Sequence, residues 1–151
     1  MKKNKVNNSK LPSKIEVLDY SKILGAIQGV SDLSTIEVAR DDNRGEYKFR
    51  FNETEVYFSI IVSRTFTTFR LANFFDFKEH VENLKDDLDE LIYNFNIRSI
   101  GYKCFKKKKE PSVVAFCSEF LFNDNVITSR NIRSNLALIT AFPKNFLKVD
   151  E

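Results

Sequence analysis

The residues that most often do chemistry in proteins are scarce in this sequence, and their spacing matches no common catalytic or metal site. His80 is the only histidine, whereas both Ser-His-Asp and Cys-His nucleophile systems need a histidine base. Cys104 and Cys117 have no nearby histidine and do not supply the four ligands of a zinc site. The four glycines form neither a dinucleotide-binding fingerprint nor a P-loop. The sequence therefore predicts no enzyme activity, no metal site and no cofactor.

The charged side chains that could contact a partner fall into two clusters, and the first is acidic. Carboxylates crowd one face of a predicted helix, where Glu82, Asp86, Asp89 and Glu90 are the candidate contact residues. Neighbouring carboxylates can act as a general acid and base. On an amphipathic helix, however, they are more typical of a solvated face.

The second cluster is the run Lys106, Lys107, Lys108 and Lys109 at a predicted hairpin. Three interpretations stay open. The run is a solvated tip that discourages edge-to-edge aggregation, an electrostatic contact to an acidic protein surface, or a contact to nucleic-acid phosphates. Four lysines supply a local field but cannot read bases.

Length and charge predict one domain of 13–147 between a basic tail at 1–12 and a short tail at 148–151. The chain has 151 residues, 42% of them hydrophobic, and a net charge of +3. Residues 1–14 contribute five lysines and no acid, so the rest of the chain carries −2. The basic start lacks the apolar run of a signal peptide, and no window is apolar enough to span a membrane. We expect a cytoplasmic protein with reduced cysteines.

The first half of the chain predicts one helix followed by four strands. Ser13–Glu16 has the pattern of a capping box, and Gly29 is the expected end of the helix. The spacing of apolar residues then changes to two, which is typical of strands with one buried face. Tight connections favour an antiparallel meander. The apolar helix stripe is Val17, Tyr20, Leu24 and Ile27, and the strands are Thr35–Arg40, Tyr47–Phe51, Val56–Val62 and Phe66–Asn73.

The second half predicts a helix, a hairpin and a last helix. A second capping box at Asp76–Glu79 precedes an apolar stripe at helical spacing: Val81, Leu84, Leu88, Leu91 and Phe95. Strands Ile100–Phe105 and Ser112–Phe122 are joined by Lys106–Pro111, and the second strand, apolar on both faces, should be an inner strand covered on both sides. The last helix runs from about Thr128 to Pro143. The expected fold is α+β, an antiparallel sheet packed with three helices in the order α-β-β-β-β-α-β-β-α.

A cluster of phenylalanines accompanies the fourth strand. Such rings are more often core than binding surface. The predicted sheet is nevertheless larger than three helices cover easily, which leaves room for an exposed apolar patch. The cluster comprises Phe66, Phe69, Phe74, Phe75 and Phe77.

Residues 77–146 resemble the YbjN-like family of bacterial sensory-transduction regulators, within the type III secretion chaperone-like fold. The helix end Leu91–Asn96 (LIYNFN) is similar to that family's Asn-aromatic-Asn helix end, and Phe120–Thr128 (FLFNDNVIT) leads similarly into the closing helix. The resemblance implies no enzyme activity, no cofactor and no site residues. Secretion chaperones of this fold are usually homodimers that wrap an extended segment of a partner.

Three functional hypotheses follow. The first is a non-catalytic protein-binding domain, chaperone-like or regulatory, with another protein as partner and a homodimer as the expected assembly. The second is an immunity protein that neutralises a bacterial toxin through its acidic helix. The third is nucleic-acid binding through the lysine-rich tail and hairpin, which the acidic body of the chain disfavours. A membrane partner is not expected.

Overall fold

A six-stranded antiparallel sheet is the centre of the structure, a computed structural model that describes residues 20–39, 44–63, 65–122 and 128–148. This confirms the predicted α+β class and antiparallel sheet. The strands are β1 (Val30–Ala39), β2 (Arg44–Phe51), β3 (Thr54–Val62), β4 (Thr67–Asp76), β5 (Tyr102–Lys107) and β6 (Glu110–Phe122). The helices are α1 (Tyr20–Gly25), α2 (Leu88–Arg98) and α3 (Ser129–Ala141), with 3₁₀ turns at Lys78–Asn83 and Phe142–Phe146.

Successive side chains of each strand point to opposite faces of the sheet, as the period of two in the apolar residues of the sequence predicts. The strand order is β1-β2-β3-β4-β6-β5, so β6 is an inner strand and β1 and β5 are the edges. The register places Phe58 between Tyr47 and Leu71, and Phe69 between Ile60 and Phe120. All six side chains lie on one face, which we call the covered face.

The three described helices pack on the covered face. Tyr20 and Leu24 of α1 are buried against the strand aromatics, with the Tyr20 and Phe58 ring centroids 6.2 Å apart. In α3, Ile132, Leu136 and Ile139 join the same core at helical spacing. A second cluster forms where α2 and the last 3₁₀ turn cover β5 and β6, around Phe77, Cys104, Val114, Phe116 and Phe146.

The predicted long helix after β4 is wrong, because the chain is interrupted at 84–87. Asp76 accepts a hydrogen bond from the backbone N–H of Lys78 at 2.9 Å, but the 3₁₀ turn has Phe77 as its N-cap and no side-chain cap bond, so the predicted capping box at Asp76–Glu79 is wrong as well. α2 begins only after Asp87. The cause is a long-range backbone contact. Lys85 N–H donates to the Phe146 carbonyl at 2.9 Å, and Leu84 pairs antiparallel with Leu147. These bonds occupy groups that a continuous helix would need internally.

Three other boundaries differ from the prediction. α1 ends at Gly25, and Gly29, with φ +95°, turns the chain into β1, which starts at Val30 rather than Thr35. In the hairpin, Lys106 and Lys107 belong to β5, so that only Lys108 and Lys109 form the turn. Pro111 therefore lies within β6, next to a register shift of the β5–β6 ladder.

The expectation that both sides of β6 are covered is also wrong. The helices of the described ranges cover only one side, and on the other side Leu121 is 63% exposed. The tail at 1–12, the capping box at Ser13–Glu16 and the turn at Asn123–Asn125 lie outside the described residues. No helix within the described ranges is long and apolar enough to cross a membrane.

Candidate functional site: the uncovered face of the sheet

The second face of the sheet, which we call the uncovered face, carries no helix among the described residues. Its side chains are those that alternate with the core positions of β2 to β6. Aromatic and aliphatic residues form its middle, and charged residues surround them. Its main members are Glu46, Lys48, Glu55, Tyr57, Ile61, Arg70, Ala72, Phe74, Phe105, Lys107, Val113, Ala115, Cys117, Glu119 and Leu121.

An aromatic band crosses the middle of the uncovered face. The rings of Tyr57 and Phe74 meet edge to face, with centroids 5.5 Å apart. Ala115 lies in register between Phe74 and Phe105 and is completely shielded, whereas the two rings are 39% and 54% exposed. Residues from β3, β4, β6 and β5 thus form one apolar surface, which we call the aromatic band: Tyr57, Phe74, Ala115 and Phe105.

The aromatic band borders a cleft of about 530 Å³. Ile36, 53% exposed, lines one side, and Lys107 and Glu110 of the β5–β6 hairpin line the other. β1 and β5 are the opposite edges of the sheet. The sheet must therefore be strongly coiled for residues of both strands to line the same cleft. A second cleft, of about 430 Å³, lies around Cys117 between Phe105 and Arg70.

The cations of the uncovered face are mostly neutralised by acids of the same face. Lys48 Nζ lies 2.7 Å from Glu55, Lys107 Nζ lies 2.8 Å from Glu110, and Arg70 Nε donates to Glu119 at 2.8 Å. Arg44 also pairs with Glu46, and Arg50 with Glu53. The surface is therefore polar at its rim but has little net charge to offer a ligand.

Two of these ion pairs shift the pKa values of Lys48, Glu55 and Lys107 in the direction that favours the charged form. The hydrogen bond between Lys48 and Glu55 raises the pKa of the lysine and lowers that of the carboxyl group. The hydrogen bond to Glu110 likewise raises the pKa of Lys107. All three shifts move the pKa further from neutral pH, so these three side chains stay charged over the physiological range.

The tertiary structure brings the two predicted charge clusters together at one point. Lys106 of β5 forms an ion pair with Asp89 of α2, with 2.7 Å between Nζ and Oδ1. Lys107 points to the opposite face and borders the cleft. Lys108 and Lys109 are exposed at the turn and make no ion pair within the ranges described. The four lysines thus do not form one patch.

The other predicted acidic residues do not share one helix face. Glu82 lies in the first 3₁₀ turn, Asp86 precedes α2, and Glu90 lies in the first turn of α2. All three are exposed, and no cation of the described residues pairs with their side chains. They form an acidic ridge that extends to the start of α2.

The cysteines and the histidine form no reactive centre. Cys104 lies on the covered face, where burial raises the pKa of its thiol to about 12, and Cys117 lies on the uncovered face, where burial also raises the thiol pKa. Opposite faces preclude a disulfide between them, and both are free. The His80 ring packs on Phe75 with centroids 5.4 Å apart. In the described part of the chain no cluster of ligands could hold a metal ion.

Sequence reasoning anticipated the surplus of sheet but not the residues of the aromatic band other than Phe74. Tyr57 and Phe105 alternate with core positions along β3 and β5, and this alternation is the only feature of the sequence that could have placed them on the second face. A period of two identifies the two faces of a strand, but it cannot show which face the helices will cover.

Comparisons of the chain with protein-family models, with curated proteins and with solved structures find no match. The uncovered face and the acidic ridge therefore have to be interpreted from their own chemistry.

Proposed function

We propose that this chain is a non-catalytic protein-binding domain, chaperone-like or regulatory, which holds a partner polypeptide on the uncovered face of its sheet. The observation that carries the proposal is that all helices in the described part of the chain pack on one side of the sheet. This packing leaves the aromatic band and its cleft exposed to solvent. A contiguous apolar patch with a polar rim is typical of a protein interface.

The composition of this face favours polypeptide over nucleic acid as partner. Because most of its cations already have an acid partner within 4.0 Å, few charges are available to replace the counterions of phosphates. The exposed aromatic rings can instead pack against apolar side chains of a partner, and the charged side chains of the rim can hydrogen-bond to the partner's backbone.

The type III secretion chaperone-like architecture is part of the same proposal. The observed element order, with an antiparallel sheet and helices on one face, is compatible with it. Asn96, at the end of the segment that resembles the YbjN-like family, ties α2 to β5. These observations are compatible with the resemblance and identify no partner.

The test is a quantitative pull-down from the native host followed by assignment of the binding surface. We expect Phe74→Ser with Phe105→Ser to reduce the captured partner at least about tenfold, the loss typical of two interface anchors. Leu138→Ser is the matched control, since Leu138 is a 46% exposed apolar residue on α3. Equal capture by the wild type and the double variant, with both folded, would refute the proposal.

The acidic ridge supports a second candidate, an immunity protein that covers a basic toxin surface. Glu82, Asp86 and Glu90 are exposed and carry no neutralising partner in the described ranges. Reversing these charges to lysine should abolish binding in this case, because electrostatic contacts dominate such interfaces. The same variant should leave a contact to the aromatic band intact, so the two variant sets separate the two functions.

A further inference from the structure

The tip of the β5–β6 hairpin bends away from the plane of the sheet. The register of the described β5–β6 ladder shifts after Lys106, where β6 has three extra residues, Pro111–Val113. Extra residues of this kind bend a strand and increase its twist. The bend is fixed to the end of β4, because the Phe77 N–H donates to the Ser112 carbonyl at 2.9 Å. The hairpin tip is therefore held in one direction relative to β4.

The bent tip forms one wall of the larger cleft, of about 530 Å³, on the uncovered face. In the strand order β5 is three positions away from β3, which is about 14 Å in a flat sheet. Lys107 of the tip and Tyr57 of β3 nevertheless line the same cleft. Val113, at the base of the tip, is only 9% exposed although it lies on the uncovered face. The larger cleft is thus a recess between the hairpin tip and the aromatic band.

The floor of the larger cleft consists of small side chains beside two rings. Ala72 lies in register between Tyr57 and Cys117, and Ser59 also lines the cleft. The Tyr57 and Phe74 rings meet at an interplanar angle of 88°, an arrangement in which a further ring can pack edge to face or offset. The volume of the cleft lies in the range of roughly 300–1,000 Å³ that is typical of ligand sites. A complete aromatic ring can therefore enter the cleft.

The charges that line the larger cleft are already neutralised. The ion pairs of its lining residues are Arg44 with Glu46, Lys48 with Glu55, Arg70 with Glu119, and Lys107 with Glu110. A charged occupant would have to break one of these pairs or be buried without a counter-charge, and either change costs free energy. A neutral ring needs no counter-charge, and the carboxylates can accept from its N–H or O–H group. Charge complementarity therefore favours a neutral aromatic occupant.

We infer that the larger cleft receives an aromatic side chain of the partner polypeptide, a tryptophan or a tyrosine, and that this ring is the anchor of the complex. The inference rests on the proposed function and specifies the chemistry of the partner. Tryptophan and tyrosine are enriched among the residues that dominate the binding free energy of interfaces, and they occupy well-packed pockets there. Phe105, at the other end of the aromatic band, does not line this cleft. Variants can therefore separate the anchor from the rest of the interface.

Three small molecules that share one indole ring test the chemistry of the cleft. We expect neutral N-acetyltryptophanamide to bind the full chain with a dissociation constant of about millimolar or tighter. Binding should shift the backbone amide NMR signals of Tyr57, Ala72 and Glu110. Tryptamine, a cation, and indole-3-acetate, an anion, should bind at least about fivefold more weakly, because neither finds a free counter-charge. No shifts with the neutral compound at about 10 mM, or equal binding of a charged compound, would overturn the inference.

Filling the floor of the cleft separates this inference from the proposed function. Ala72→Leu should weaken binding of N-acetyltryptophanamide and capture of the partner at least about tenfold each. Ala137→Leu is the matched control, since Ala137 is exposed on α3, and it should bind like the wild type. Ser59→Leu fills the same floor from β3 and replaces Ala72→Leu if circular dichroism shows that the latter does not fold.

Partner capture by two variants then distinguishes the two ways of failing. Normal capture by a folded Ala72→Leu variant, together with loss of capture by Phe105→Ser, would contradict the inference and leave the proposed function standing. Normal capture by both folded variants would contradict the inference and the proposed function together.

Discussion

At the scale of single residues, Asn96 makes the most informative contact of the structure. Its side-chain amide donates to the Cys104 carbonyl and accepts from the Cys104 N–H, both at 2.8 Å. Cys104 belongs to the edge strand β5, and these two groups point away from β6. The amide thus replaces a neighbouring strand and blocks the edge against pairing with another chain.

We predict that Asn96→Ala lowers the free energy of unfolding by about 1–3 kcal/mol, because it removes the partners of two backbone groups. Urea unfolding followed by circular dichroism measures the effect. The matched control is Asn94→Ala, a half-buried neighbour on α2, which should change stability by less than about 0.5 kcal/mol. Equal losses in the two variants would show that the amide does not protect the strand.

At the scale of elements, the start of α2 shows how tertiary contacts override a local pattern. The sequence places apolar residues at helical spacing from Val81 to Phe95 and thus favours one helix. Pairing of Leu84 with Leu147 interrupts it, and Asp87 becomes the N-cap, accepting from the N–H of Asp89 at 2.9 Å. The acids of the first turn then lie at the positive end of the helix dipole, where they are stabilising.

We predict that Asp87→Ala destabilises the protein by about 0.5–2 kcal/mol, while Asp87→Asn retains most of the stability, because asparagine is also a good N-cap. Thermal or urea unfolding of the three proteins checks this. An alanine variant as stable as the wild type would contradict the role of Asp87 as the N-cap of α2 and would favour the continuous helix that the sequence predicts.

At the scale of the whole molecule, packing all described helices on one side produces both the core and the exposed face. The covered face holds the buried rings of Phe58 and Phe69 in one core cluster and of Phe116 in the other. The opposite face holds the aromatic band, so one sheet serves stability on one side and contact on the other. Both edges are protected as well, β5 by Asn96 and β1 by two irregularities in its register with β2.

Replacement of the turn lysines, Lys108 and Lys109, tests whether charge at the hairpin tip contributes to nucleic-acid binding. Lys108 and Lys109 make no ion pair in the described structure, so we predict that replacing both by serine changes stability by less than about 0.5 kcal/mol. We also expect the wild-type chain to bind DNA or RNA oligonucleotides weakly, if at all, at about 0.15 M salt. Tight binding in a mobility-shift assay that the double variant loses would instead support the nucleic-acid hypothesis.

The sequence by itself determined which residues alternate on strands, where α3 begins and ends, and that the fold is α+β. These properties depend on side chains two to four positions apart and on caps such as Thr128, whose hydroxyl accepts from the Asn131 N–H. Only the tertiary structure decided which face of the sheet the helices cover, where the predicted long helix breaks, and that Lys106 meets Asp89. Each of these depends on contacts between residues distant in the chain, and a local pattern carries no information about them.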